Sequence, residues 1–177
     1  MKKKLISSLF LVIVLLLASV PLTLQARTPE ICRDSLLSAA REIITEIDNC
    51  ALISTDSAGI PHVRTMSQFP FSSDFNIWFA TSRYSLKVNE IRHNPNVCVY
   101  FADHARGNGY VAVNGKAEII DDPALLVKKK RDYWDGIPGW KELFVLIRIV
   151  PEKLEVVNYP RGVSNDPKTS KAPSVIF

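Results

Sequence analysis

Three rhythms of apolar and polar residues divide the chain. Behind the basic start Lys2-Lys3-Lys4, residues 5–17 are almost wholly apolar. Between Ile31 and Ile47 the apolar positions (Ile31, Leu36, Leu37, Ala40, Ile43, Ile44, Ile47) return every three to five residues, which predicts an amphipathic helix. Thr28-Pro29-Glu30 opens it with a cap residue, a proline for the first turn and an acid at the positive end of the helix dipole. From Ala51 onward short apolar or alternating runs are separated by turn residues, the pattern of strands. They predict strands over 51–55, 62–69, 76–81, 96–102, 109–120, 143–150 and 153–157. Helices are predicted over 85–93 and from the cap Asp121-Asp122-Pro123 to about Trp134. In the second strand Val63, Thr65 and Ser67 point to one side, and His62, Arg64, Met66 and Gln68 to the other.

Six or seven strands joined mostly by hairpin-length turns favour a mainly β, α+β fold, an antiparallel barrel decorated by helices, over any βαβ arrangement. Asn114-Gly115 resembles a two-residue hairpin turn. A continuous strand with glycine at a point of close approach explains the same residues.

The N-terminal rhythm changes what the composition means. A basic start, an apolar stretch, then Pro21, Thr23, Gln25 and a small residue at Ala26 is the layout of a secretory signal peptide cleaved after Ala26. The competing reading is an uncleaved anchor through residues 5–24. Export to the periplasm or beyond the cell is the expectation, with residues 27–160 as the folded domain and 161–177 as a tail. Loss of residues 1–26 lowers the Lys and Arg count from 22 to 19 against 18 acids, so the formal charge falls from +4 to +1. No basic stripe remains to argue for nucleic acid. Of the three cysteines, Cys32 and Cys50 flank the first helix, whose rise of ~1.5 Å per residue holds them too far apart to pair. Cys98 reads as a buried small apolar residue, the spacings fit no zinc pattern, and no metal is expected.

The candidate chemistry lies in residues 78–88. An apolar strand ends in Thr81 and Ser82, and Ser85 and Lys87 follow at a helix start. Hydroxyls, free helix amides and an ammonium together suit a phosphate. His62, His93 and His104 read as solvated residues near turns and helix ends, and Lys128 to Arg131 as an exposed basic face. That face is also one that anionic lipid would attract if the anchor stayed in place.

From about residue 41 to 157 the chain resembles the pyridoxamine 5′-phosphate oxidase-like FMN-binding split barrels, in particular their general stress protein branch. The resemblance rests on order and spacing: 51–55 with Gly59-Ile60-Pro61-His62-Val63-Arg64-Thr65-Met66, then 78–88, Asn94-Pro95-Asn96-Val97, 109–118 and Asp121-Asp122-Pro123. It implies FMN at a homodimer interface and favours the continuous strand through Asn114-Gly115. It places Arg64 at the phosphate or ribityl chain and the backbone of Thr65, Met66 and Ser67 along the flavin edge. Ala80 and Thr81 fall where the phosphate pocket begins, Ser85 and Lys87 hold the phosphate, and Tyr110 comes from the partner subunit. Trp134 or Trp140 is expected to cover the ring.

Two departures bear on activity. The vitamin B6 oxidases end the Arg64 strand with a lysine where this chain has Phe69, and their Arg-rich C-terminal segment has no counterpart in residues 158–170. Both speak against oxidation of pyridoxamine phosphate. The expectation is an FMN-dependent oxidoreductase of unknown substrate. Its alternative is a non-catalytic flavin- or haem-binding protein outside the cytoplasm, with His62 or His104 as the haem ligand.

Overall fold

The computed structural model describes residues 31–177; the expected signal segment with its cleavage site, and the expected Thr28 cap, lie outside them. Helix α1 (Arg33–Glu46) precedes strands β1 (Asn49–Thr55), β2 (Pro61–Ser67) and β3 (Ile77–Ser82). Helix α2 (Leu86–His93) then leads into β4 (Asn96–Ala102) and β5 (Gly109–Ile120). A helical insert, α3 (Pro123–Lys128) and α4 (Trp140–Leu143), precedes β6 (Phe144–Asn158) and β7 (Ser174–Ile176). All strand pairs are antiparallel, in the order β2-β1-β4-β5-β6-β3 with β7 added beside β6. The sheet curls into the half-barrel of a split barrel, with strand alternation deciding its inside. Leu52, Val99, Phe101, Val111, Val113 and Leu154 are fully buried, and α1 closes one opening with Leu36, Ala39, Ala40, Ile43 and Ile44.

Strand β5 runs unbroken through Asn114-Gly115, as the resemblance favours, and the register shifts there by a bulge. A Cβ on Gly115 would lie 2.2 Å from the Val150 carbonyl oxygen, so only glycine fits the crossing. The sequence predicts two strands, 143–150 and 153–157, but one strand passes through Pro151. Gly115 pairs with Pro151 at the bulge, where a missing N–H is tolerated.

Three further expectations are corrected. The insert helix stops at Lys128, and a 3₁₀ turn (Asp132–Gly136) carries Trp134 into a second core with Phe69, Leu126, Trp140 and Leu146. Asp122 caps α3 through the amides of Ala124 and Leu125, while Asp121 pairs with Arg83 at 2.9 Å and pins the insert to the end of β3. Within residues 161–177, read as a tail, β7 pairs with β6, and Ala172 and Val175 are buried. Cys98 is half-buried on the outer face of β4, because its strand alternation turns Val97 and Val99 inward. Cys32, Cys50 and Cys98 are all free, and burial pushes the Cys50 thiol up to about 12.

Candidate functional site

Helix α2 lies across β1 and β5, burying Val88 and Ile91. Its N-cap, Ser85, makes no side-chain cap bond; the hydroxyl instead lies 3.3 Å from that of Thr81. Lys87, on the first turn, donates to Thr81 Oγ1 at 3.0 Å. Burial lowers the Lys87 pKa, and the Arg64 guanidinium lowers it further while Glu90 opposes. The Arg64 charge thus disfavours that of Lys87, and a pair of like charges held near each other favours an incoming anion.

Arg64 is anchored on its far side. It donates from Nη2 to both Glu90 oxygens at 2.7 Å and from Nη1 to Ser54 Oγ at 2.6 Å. Glu90 is 6% exposed and also accepts from Ser54 at 2.7 Å. His62 Nδ1 lies 2.7 Å from Glu90 Oε1, and its Nε2 is 3.8 Å from Asp56. Burial pushes the Glu90 carboxyl up, but the bonds from Ser54, His62 and Arg64 prevail and hold it below the ordinary carboxylate range.

Thr81 thus joins Ser85 and Lys87, Arg64 is coupled to Lys87 through charge alone, and the remaining residues named from the sequence do not join them. Met66 is buried in the core, and Thr65 and Ser67 face outward from β2. Ala80 packs against the insert. Tyr110 sits on the outer face beside Tyr100, ring centroids 5.5 Å apart, and burial followed by the nearby Glu155 raises its pKa. His62, expected to be solvated, is instead built into the Glu90 network. Trp134 is fully buried and Trp140 nearly so, both in the second core, which leaves neither free to cover a ring.

The basic run is not one exposed face. Lys128 and Lys130 are exposed, but Arg131 donates to Ser67 Oγ at 2.9 Å, to the Ser67 carbonyl at 3.2 Å and to that of Gln68. Lys129 lies 4.3 Å above the Trp78 ring. Both are drawn inward because aromatic faces and the carbonyls of Ser67 and Gln68 are within reach. With Phe69, Phe71 and Tyr133 they line an open groove of about 1200 Å³ that reaches Ser67.

Sequence reasoning missed Ser54, Glu90 and Arg131. A signal for Glu90 exists: an acid three residues after Lys87, set between the apolar Val88 and Ile91.

Residues 36–158 match the family described as pyridoxamine 5′-phosphate oxidase. The chain belongs to that family. General stress protein 26 of Bacillus subtilis (strain 168) is 32% identical over 112 residues, covering 60% of this chain and 77% of that protein. The crystal structure of general stress protein 26 from Bacillus anthracis str. Sterne superposes with a TM-score of 0.57 at 28% identity, over 68% of this chain and 92% of that one. A protein related to general stress protein 26 from Clostridium acetobutylicum reaches a TM-score of 0.65 at 15% identity, over 83% of this chain and 97% of that one, a likeness of fold. In this pyridoxamine 5′-phosphate oxidase-family chain the Arg64 strand stops at Ser67, short of the expected Phe69, which packs edge-on against Trp134 at 6.3 Å.

Proposed function

We propose that this chain is an exported FMN-binding flavoprotein that acts as a homodimeric oxidoreductase. The observation that carries the reading is the cradle at the start of α2, where Lys87 donates to Thr81, the Thr81 and Ser85 hydroxyls lie 3.3 Å apart, and the Arg64 guanidinium stands near enough to disfavour the Lys87 charge. A terminal phosphate fits this donor set, since charge-assisted bonds from Lys and Arg are the strong ones and hydroxyls complete the oxyanion shell. Bound FMN supplies electron transfer to or from a partner molecule. The chain's own part is to hold the phosphate at Lys87, orient it through Thr81 and Ser85, and leave the groove beside Ser67 open for a donor or acceptor.

A second copy completes this reading. Tyr110 stands away from the cradle on a sheet face that also presents Ile53, Tyr100 and Val63, the last 67% exposed. A self-complementary apolar face of this kind suits a two-fold dimer that brings Tyr110 to the neighbour's cofactor. Oxidation of pyridoxamine phosphate is not part of the proposal, because Phe69 stands where the resemblance calls for a lysine and is buried in the second core. Flavin is preferred to haem, since both ring nitrogens of His62 face carboxylates and His104 is an exposed loop residue.

The deciding experiment is the visible spectrum of the purified protein, followed by acid release, mass analysis and titration with FMN and riboflavin. Released FMN, or FMN bound well ahead of riboflavin, supports the proposal. A Soret band turns the reading to haem, and a colourless protein indifferent to FMN leaves the fold without this function.

A further inference from the structure

Glu90 does something that no phosphate ligand would do for itself: it holds one. Its carboxylate receives four hydrogen bonds from three side chains on β1 and β2, all at 2.7 Å. Two of these bonds come from a single nitrogen of Arg64, and Ser54 ties the other Arg64 terminal nitrogen to the same carboxylate. A guanidinium held through both terminal nitrogens, one on the Glu90 carboxylate and one on Ser54, loses the freedom of its long stem, so its orientation is set in advance. The two cations of the cradle do not cancel each other's field by themselves. Glu90, one helical turn beyond Lys87, is the acid that offsets their repulsion. A carboxylate buried to this degree is tolerated only because its partners are all in place.

We infer that Glu90 is the positioning residue of the phosphate cradle, aiming Arg64 at the bound phosphate without touching it. The inference rests on reading the cradle as a phosphate site. It predicts that Glu90→Gln, which keeps shape but loses charge, weakens FMN about tenfold, as expected when a charged hydrogen-bond network is broken. Riboflavin, which has the same ring and chain but no phosphate, should bind both proteins equally. Arg64→Ala should weaken FMN as well, and the double substitution should be no worse than Arg64→Ala alone, since Glu90 acts through Arg64.

Fluorescence-quenching titrations of the full protein with FMN and riboflavin read all four proteins, with thermal melts confirming that each is folded. Equal loss of FMN and riboflavin in Glu90→Gln, or additive losses in the double variant, would overturn the positioning role. If the Gln variant does not fold, Ser54→Ala removes the other anchor of Arg64 and must show the same phosphate-selective loss. A parent protein that binds FMN no better than riboflavin removes the phosphate reading itself, a failure distinct from that of Glu90.

Discussion

At the scale of single residues, the cradle separates groups that bind from groups that hold. Lys87 is half-buried, and its charge is disfavoured by burial and by Arg64, so an arriving phosphate relieves a repulsion already present. Lys87→Ala should therefore cost FMN affinity at least tenfold while leaving the melting temperature unchanged or slightly higher. Titration and a thermal melt on the same preparation check both halves of that statement. Glu90 behaves in the opposite sense. Its carboxyl is held below the ordinary value of 4.5, so the stability it contributes is full above that pH and is lost as pH falls through the folded value. Thermal melts across the acid range should show the parent losing stability below about pH 4.5 more steeply than Glu90→Gln. Parallel acid limbs for the two proteins would contradict the network's charged form. Thr81, Ser85 and Lys87 stood out in the sequence because their residue types suit phosphate, whereas Arg64 was reached through the family resemblance. Ser54 and Glu90 did not stand out, since a serine on a strand and an acid on a helix carry no signal until β1 and α2 are brought together.

At the scale of elements, the strands were legible almost to the residue where apolar alternation was strong, and β4 and β5 occupy the predicted spans. The misreadings cluster at proline and in the insert. Pro151 looks like a break in one dimension, but the bulge opposite Gly115 removes the need for its N–H. Gly115→Ala should therefore destabilise the fold by about 2–4 kcal/mol, because the new methyl meets the Val150 carbonyl in the centre of the longest strand pair. Chemical denaturation followed by tryptophan fluorescence measures it, and a change under 0.5 kcal/mol would show that the bulge moves freely. The insert's tryptophans misled for a related reason. Large aromatics near a suspected cofactor suggest a lid, yet Trp134 and Trp140 pack on each other, on Phe144 and under β3. Trp134→Ala should cost about 3–5 kcal/mol in denaturation experiments without changing the ratio of FMN to riboflavin affinity.

At the scale of the whole molecule, the proposed phosphate cradle lies on the inner side of the sheet and Tyr110 on the outer side, so the proposed shared site calls for a second copy. Val63→Glu places a charge in the middle of the exposed row and should shift the protein from dimer to monomer on a sizing column coupled to light scattering. The same variant should lose FMN although Arg64 and Lys87 are untouched. A dimer that survives the substitution, or a monomeric parent that binds FMN fully, would count against the shared site.

Local rules were enough to settle much of this protein: the strand rhythm, the Asp122 cap, the antiparallel class, and a hydroxyl–lysine pattern at the start of α2 whose chemistry suits phosphate. Those properties depend on spacings of a few residues, which the chain displays directly. Tertiary structure alone decided which polar groups meet. The pairing of Arg64 with Glu90 joins β2 to a helix 26 residues later, and the contact of Arg131 with Ser67 spans 64. Such contacts depend on how the sheet curls and where the insert folds back. They join residues whose one-dimensional neighbours give no hint of each other, because burial and charge compensation act through space rather than along the chain.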